Sequence, residues 1–468
     1  SGVRQMTYSE ETYKPSGGMS VGSFGQSEPQ RLSLFINGRR FIGFGGNWGF
    51  GESNLNYRER EYDIAVAYHA DMNFTMIRNW VGQIGDKEFY EACDRHGIMV
   101  WQDFWLANPV DGPNPYYTEM FNANACDYLK RIRNHPSIGI YVGRNEGNPP
   151  AGIDDYLRGL VFREHPGLYY ISNSAMGVVS GGGPYRALSP KSYFQSYGHD
   201  KFHSERGMPN VMNYESMLLT FGTDKIEPVN TSETPNPVYG LHDYTLGGGK
   251  GSSAQAASSF NDMIEKAFGR PRDAKQFAEW AQWINYDGYR AIFEGRSEHR
   301  RGMLLWMSHS AWPSMVWQTY DYYFDPNAAY FGCKKASEPL HIQWNPLRDD
   351  IEVVNYHAFD RTGLTATASL FNQDGTLQWT RETKLDIKED QTVACFPLEQ
   401  PETLSDTYFI KLSLTDSDGK QLSDNFYWRG KEDGNYKSLL QLPKVSVCKN
   451  VTVKKTGKEW LIRAVLKN

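Results

Sequence analysis

Arg133-Asn134-His135-Pro136-Ser137-Ile138-Gly139-Ile140-Tyr141-Val142-Gly143-Arg144-Asn145-Glu146 lifts one carboxyl group out of an apolar run onto a polar tip. Pro136 cannot continue a helix and Ser137 belongs to turn chemistry, so Ile138 to Glu146 reads as a short buried strand. Where helices alternate with parallel strands, substrates react at the carboxyl ends of the strands. Glu146 stands at such an end, poised for acid–base chemistry. Its bland alternative is to cap the next helix.

Outward from this strand the alternation continues. Seven further strand candidates flank it: Phe41 to Trp48, Phe74 to Val81, Gly97 to Phe104, Leu168 to Ala175, Ser192 to Tyr197, Lys201 to Gly207 and Gly302 to His309. Helical segments such as Tyr57 to Met72, Asp86 to His96, Met120 to Arg133 and Ile153 to Glu164 lie between them, with Asp86 a plausible N-cap and Gly97 a plausible stop. Eight repeats predict a closed α/β barrel. A long connection from Met208 to Arg301, with Gly247-Gly248-Gly249, has the texture of a lid or wall. Within it Phe277, Trp280, Ala281, Ile284 and Tyr289 recur at helical spacing, which makes Trp280 and Trp283 packing residues rather than sugar platforms. After Asn345, alternating β-branched and aromatic runs broken by turns such as Asn372-Gln373-Asp374-Gly375 predict an antiparallel sandwich. The expected domains are therefore 1–30, the remnant of a preceding β-sandwich with its linker; 31–344, the barrel; 345–431, the sandwich; and 432–468, the start of a further β domain.

Composition narrows the partners. The 468 residues are 40% hydrophobic and 14% aromatic, and 13 Trp with 29 Tyr exceed what packing needs. Flat aromatic faces are what sugar rings stack on. A net charge of −6 argues against nucleic acid or an anionic membrane surface. No apolar run approaches the ~18 residues of a membrane span. The five cysteines are scattered without a Cys-x-x-Cys pair or zinc spacing, so they read as free thiols, and no metal or cofactor is expected.

A second glutamate, Glu205, ends the seventh strand in His203-Ser204-Glu205-Arg206, opposite the fourth strand in an eight-stranded barrel. Two carboxyl groups converging on one pocket are what glycoside hydrolysis needs, one protonated to release the leaving oxygen and one ionised at the anomeric carbon. A structural ion pair with Arg206 is the alternative for Glu205. Asn145 either meets a sugar hydroxyl or satisfies loop backbone. Glu215, in Asn213-Tyr214-Glu215-Ser216, rivals Glu205 but falls where a helix cap is expected. Asp103, His203, Glu205 and His309 form no recognisable ligand set for a metal-dependent hydrolase.

These residues resemble glycoside hydrolase family 2. Arg133-Asn134-His135-Pro136-Ser137-Ile138 with Gly143-x-Asn145-Glu146 carries the likeness, joined by Leu34-Phe35-Ile36-Asn37-Gly38 with Gly45-Gly46-Asn47-Trp48, by Val100-Trp101-Gln102-Asp103-Phe104 and by Phe202-x-Ser204-Glu205-x-Gly207. Leu305-Trp306-Met307, Ala311-Trp312-Pro313-Ser314, Asp321-Tyr322-Tyr323 and Tyr330-Phe331-Gly332-x-Lys334-Lys335 resemble the exo-β-glucosaminidase and β-mannosidase branch in particular. The resemblance implies a (β/α)8 TIM barrel followed by an immunoglobulin-like β-sandwich, and a retaining exo-β-glycosidase acting on a terminal glucosaminide or mannoside. It makes Glu146 the acid/base and Glu205 the nucleophile, with Arg78, Trp80, Trp101, Asp103, Asn145, Trp306 and Trp312 lining the sugar pocket. Without it, Trp306 and Trp312 read equally well as barrel packing, and Asp103 as a residue that orients a neighbour. By the same likeness the compartment is expected to be periplasmic or secreted. A carbohydrate-binding fragment without activity is the alternative, and oligomeric state is not legible.

Overall fold

A computed structural model describes residues 4–12, 30–195, 200–246, 252–356, 359–457 and 459–467. Strands β1 (Met6–Thr12), β2 (Gln30–Ile36) and β3 (Arg39–Phe41) form a small antiparallel sheet. The first strand, expected to be a remnant without its sheet, instead pairs with β2 from Met6 opposite Ile36 to Thr12 opposite Gln30. Its Tyr8 hydroxyl donates to Gly139 O at 2.6 Å, and Met6, Leu32, Leu34 and Phe41 share one apolar cluster with the barrel interior. The little sheet closes the barrel floor. Val3 lies outside the described residues.

The barrel runs β4 (Gly43–Trp48), α1 (Glu59–Asp71), β5 (Met76–Asn79), α2 (Lys87–His96), β6 (Met99–Asp103), α3 (Thr118–Ile132), β7 (Ile138–Arg144), α4 (Ala151–Glu164), β8 (Tyr169–Asn173), β9 (Val179–Ser180), α5 (Pro190–Phe194), β10 (Phe202–Arg206), α6 (Tyr214–Phe221), α7 (Pro237–Leu241), α8 (Ser252–Phe268), α9 (Ala274–Glu294), β11 (Gly302–Leu305) and α10 (Ala328–Ala336). Its eight parallel strands are hydrogen-bonded in the order β8-β7-β6-β5-β4-β11-β10-β9, the order of a TIM-type barrel, with the ladder left open between β8 and β9. Met76, Met99, Trp101, Ile140, Phe202 and Leu304 plug the interior, so the chemistry is confined to the carboxyl ends of the strands above them. One expectation is corrected: the sixth strand is Val179–Ser180, and Ser192 lies in helix α5. Pro190 occupies the first turn of that helix, where its missing N–H is no loss and its φ is already helical. Tyr197 lies outside the described residues, as do Gly247 to Gly249.

Much of the quoted motif is a set of latches. His135 Nδ1 and the Ser137 backbone N–H both reach the Asp94 carboxylate, at 2.7 and 3.0 Å, and Arg133 pairs with Glu164 at 2.8 Å. These bonds seat β7 against α2 and α4. A Cβ on Gly45 would stand 1.7 Å from Met76 O, and one on Gly46 2.2 Å from Ser308 Oγ, so the Gly-Gly pair is a packing requirement. Asn47 Nδ2 donates to Ser204 O and Leu305 O at 2.9 and 2.8 Å, stitching β10 to β11. Asp86 does precede α2, yet its carboxylate accepts from the Tyr62 hydroxyl at 2.6 Å and makes no cap bond. Gly97 ends that helix at φ +71°.

Strands β12 (Leu340–Asn345), β13 (Asp350–Asn355), β14 (Arg361–Asn372), β15 (Leu377–Ile387), β16 (Gln391–Pro397), β17 (Thr407–Thr415) and β18 (Gln421–Gly430) build a sandwich of two antiparallel sheets, β12-β13-β16 and β15-β14-β17-β18. Ile342, Ile351, Leu370, Ile410 and Leu412 fill its core. The boundary expected at 344/345 falls inside its first strand, because Leu340–Asn345 pairs along its whole length with β13. A hairpin, β19 (Cys448–Thr456) with β20 (Glu459–Lys467), follows. The long connection is mostly the helices that join barrel to sandwich. Trp280 is buried against Phe268, and Trp283 meets Trp428 of the sandwich edge-on at 4.8 Å; both pack, as the helical spacing predicts.

Candidate active site

Arg78 organises the carboxyl ends of the strands. Its buried guanidinium donates from Nη1 to Glu205 Oε1 at 2.7 Å, from Nη2 to Asp103 Oδ2 and Asn145 Oδ1 at 2.7 Å each, and from Nε to Asp103 Oδ2 at 3.1 Å. Residues from β5, β6, β10 and the turn after β7 are thereby tied to one cation. Trp101 Nε1 and the Val81 backbone N–H complete the Asp103 shell at 2.8 and 3.0 Å. Asp103 therefore orients Arg78. Trp101, expected to line the sugar pocket, is 0% exposed and packs on Phe202 in the barrel plug; it supports the site from below and offers no face to a sugar.

Strand β7 stops at Arg144, two residues short of the predicted end, and Glu146 sits in the following turn at φ +46°. A non-glycine residue in that region is held there by its surroundings: Asn145 N–H donates to Leu106 O at 2.9 Å, and Glu146 N–H to Ser174 Oγ at 3.0 Å. The turn aims the Glu146 carboxyl back at the pocket. Glu205 lies within β10 and is buried; its second oxygen accepts from the Tyr185 hydroxyl at 2.6 Å.

Tyr185 lies beside both acids: its hydroxyl donates to Glu205, and the charges of Glu205 and Glu146 both act on it, after burial, to raise the phenol. Their environments differ. Burial, with the facing Glu205 charge next and Arg78 only partly opposing, pushes the Glu146 carboxyl up to about 7. Burial also raises Glu205, against the pull of Arg78 and the Tyr185 and Arg78 hydrogen bonds. Only Glu205 holds a direct ion pair at 2.7 Å, so the negative charge of the pair is best accommodated there and the proton on Glu146.

Indoles cluster beside Tyr185. Trp80 meets Trp306 edge-on at 4.9 Å, and Trp317 lies 6.2 Å from Trp306 and 5.9 Å from Tyr185. The Nε1 atoms of Trp80 and Trp317 are buried without an acceptor. Trp312 is farther out, 39% exposed and stacked on His242 at 6.2 Å. Tyr185 and Trp317 escaped the sequence reading. Tyr185 follows Gly181-Gly182-Gly183-Pro184 after the very short β9, and that glycine run beyond a strand was the available signal.

The rivals fall away. Glu215 is exposed in the first turn of α6. His203 is occupied by Ser180 Oγ and Gly183 O, and His309 by Tyr320 and Gly51 O; among the described residues no three metal-ligating side chains gather. Glu205 pairs with Arg78, and all three guanidinium nitrogens of Arg206 lack a hydrogen-bond partner, so the ion pair between neighbours is not formed. The signature around Lys334 and Lys335 is architectural, Lys334 pairing with Asp71 at 2.8 Å and Lys335 with Asp424 at 2.7 Å.

No protein-family model matches the chain. Curated relatives do. The chain is 29% identical over 462 residues to a mannosylglycoprotein endo-β-mannosidase of Lilium longiflorum, covering 86% of this chain and 48% of that protein. It is 28% identical over 435 residues to an exo-β-D-glucosaminidase of Streptomyces avermitilis, covering 84% and 46%. The chain thus spans about half the length of these relatives. Among solved structures, the exo-chitosanase CsxA of Amycolatopsis orientalis superposes with a TM-score of 0.83 at 22% identity, over 100% of this chain and 58% of that one. A β-D-mannosidase from Dictyoglomus thermophilum gives 0.77 at 20%, over 99% and 57%. Both share the fold, and the names of the relatives fall in the exo-β-glucosaminidase and β-mannosidase branch that the sequence motifs resemble. No helix among the described residues is long and apolar enough to cross a membrane.

Proposed function

We propose that this chain, a relative of the exo-β-D-glucosaminidases and β-mannosidases, carries the catalytic centre of a retaining β-glycosidase. The observation behind the proposal is a pair of interacting glutamates of which only Glu205 is held by a cation and a phenol, at 2.7 and 2.6 Å. Arg78 and the Tyr185 hydroxyl both donate to Glu205 and hold the charge on the nucleophile, while buried Glu146, without an ion pair, keeps the proton. Glu205 attacks the anomeric carbon as Glu146 gives its proton to the leaving oxygen, forming a glycosyl ester. Ester formation removes the Glu205 charge. With that repulsion gone the acidity of Glu146 rises, and it then takes a proton from the incoming water.

The sugar we infer is neutral, of the mannose kind. An ammonium group at the 2-position calls for a spare carboxylate, and Asp103 is already saturated by Arg78, Trp101 and Val81. Trp80 and Trp317 of the cluster carry indole N–H groups without an acceptor, donors that suit hydroxyl oxygens. Release of one sugar from a non-reducing end is the action we propose, as in the exo-named relatives. The endo-mannosidase among the relatives favours a second reading, cleavage within a glycan.

In Glu205→Ala, turnover of an aryl β-mannoside should vanish, and azide should restore it as the α-mannosyl azide. A β-azide product overturns the retaining step. Faster cleavage of chitosan oligosaccharides than of the mannoside overturns the neutral sugar, and glycan binding without any hydrolysis favours an inactive binding fragment.

A further inference from the structure

Arg144, one residue before Asn145, is fully engaged outside the catalytic cluster. Its Nε donates to Ala107 O at 2.7 Å, Nη1 to Asn114 Oδ1 at 2.7 Å, and Nη2 to Gly112 O at 3.2 Å. One planar fork therefore spans the loop after β6, and lysine could not reproduce it. Two more features press the loop onto the turn that holds Glu146. A Cβ on Gly147 would come within 2.8 Å of the Pro109 ring, so the residue after the acid must be glycine for Pro109 to sit there. Asn108 Oδ1 accepts from the Val110 and Asp111 backbone N–H groups at 3.0 and 2.8 Å, and its Nδ2 donates to the Asp111 carboxylate at 2.5 Å. Asp111 is exposed to solvent, and its charge adds to the upward push that burial and Glu205 exert on the Glu146 carboxyl.

In the reaction proposed above, the oxygen that Glu146 protonates leaves with the second half of the substrate. Whatever is fixed against the turn of Glu146 is then a neighbour of that half. We propose that residues 107–114 form the wall of the leaving-group subsite, suited to a hydroxylated leaving group such as a second sugar, and that Arg144 is the residue positioning this wall. The exposed Asp111 carboxylate is the acceptor offered to the hydroxyls. The same carboxylate has an electrostatic part. Besides burial, Glu205, Arg78, Asp111 and Tyr185 act on the Glu146 carboxyl, and of the two that repel its charge only Asp111 belongs to the loop that Arg144 clamps. Without the clamp, the acid ionises at lower pH.

The inference rests on the glycosidase reading, and leaving-group dependence separates the two. A 2,4-dinitrophenyl β-mannoside needs no proton to depart and leaves the sugar subsite unfilled; a β-linked mannosyl disaccharide needs both. In Arg144→Ala, kcat/KM for the disaccharide should fall ~30-fold or more while the dinitrophenyl substrate changes by less than ~3-fold, within the range that general-acid catalysis contributes. Arg144→Lys should fall between. Asp111→Asn, a surface change that leaves the clamp intact, should move the alkaline limb of the kcat/KM profile to lower pH. Equal loss on both substrates, or an unmoved alkaline limb in Asp111→Asn, overturns the assignment. A wild type inert on both mannosides and on chitosan oligosaccharides overturns the glycosidase reading and this inference with it.

Discussion

Two groups of buried charge can be set side by side. At the junction of barrel and sandwich, Arg429 forks onto Asp287 at 2.9 and 3.1 Å, and Arg290 reaches Asp287, Asn425 and the Phe426 carbonyl at 2.7 to 2.8 Å. Glu294 Oε1 accepts from Asn425, Tyr427 and His341 at 2.8 to 3.0 Å. Each carboxylate there is matched by donors. In the catalytic cluster Arg78 meets two carboxylates and an amide with one guanidinium, and Glu146 is left without an ion pair. Burial with a full set of partners gives a rigid joint. Burial with one partner too few leaves a proton that can be moved.

The comparison breaks first if Arg78 and Arg429 prove interchangeable. Arg78→Met should lower kcat/KM by at least ~10³-fold, since it removes the cation that holds the nucleophile ionised. It should also move the acid limb to higher pH. Arg429→Met leaves Asp287 with Arg290 as its remaining cation, and should cost about 2 kcal/mol of stability in denaturant unfolding with kcat/KM of the folded enzyme unchanged. A large activity loss in Arg429→Met at full stability would erase the distinction.

A finer probe is Tyr185→Phe. Losing a hydrogen bond to a buried carboxylate, about 1.5–3 kcal/mol, should reduce kcat some tenfold or more and raise the acid limb, because Glu205 then ionises less readily. An unchanged acid limb would mean that the hydroxyl does not govern the nucleophile.

The smallest expected effect is on stability against pH, where the two groups act in the same direction. Glu146 is raised from 4.5 to about 7, so its penalty is absent at pH 4 and grows as pH rises toward 7 and it ionises. His341 is drawn down by burial but raised further by its bonds to Glu294 and Glu338, so its contribution is complete below 6.5 and fades as pH climbs past its raised value. Tm should decline from pH 5 to pH 8, and the decline should flatten in Glu146→Gln and again in His341→Asn. A wild-type Tm that rises over this range contradicts both assignments.

The barrel was legible because its signals are local. Pro136, Gly97 and the runs Val100 to Phe104 and Ile138 to Val142 announce strands and stops without knowledge of the rest. The sixth strand was not: Val179–Ser180 is two residues long, too short for any alternation to register, while Ser192 and its neighbours read as a strand until Pro190 starts a helix. β12 was missed for a related reason, since six buried residues in a row carry no period and only pairing with β13 assigns them to the sandwich. Trp101 was expected at the sugar pocket from the family resemblance alone, and a motif does not tell whether a ring faces the pocket or the plug.

By itself the sequence determined which residue types stand at the carboxyl ends of the strands: two glutamates, an arginine, an asparagine and several tryptophans, each marked by a strand signal within a few positions. Only the tertiary structure decided how they share charge. Arg78 and Glu205 are 127 residues apart, and the loop of Tyr185 is marked only by its glycine run. The proton preference of Glu146 comes from burial and from the facing Glu205, and both exist only once the barrel has brought distant strands together.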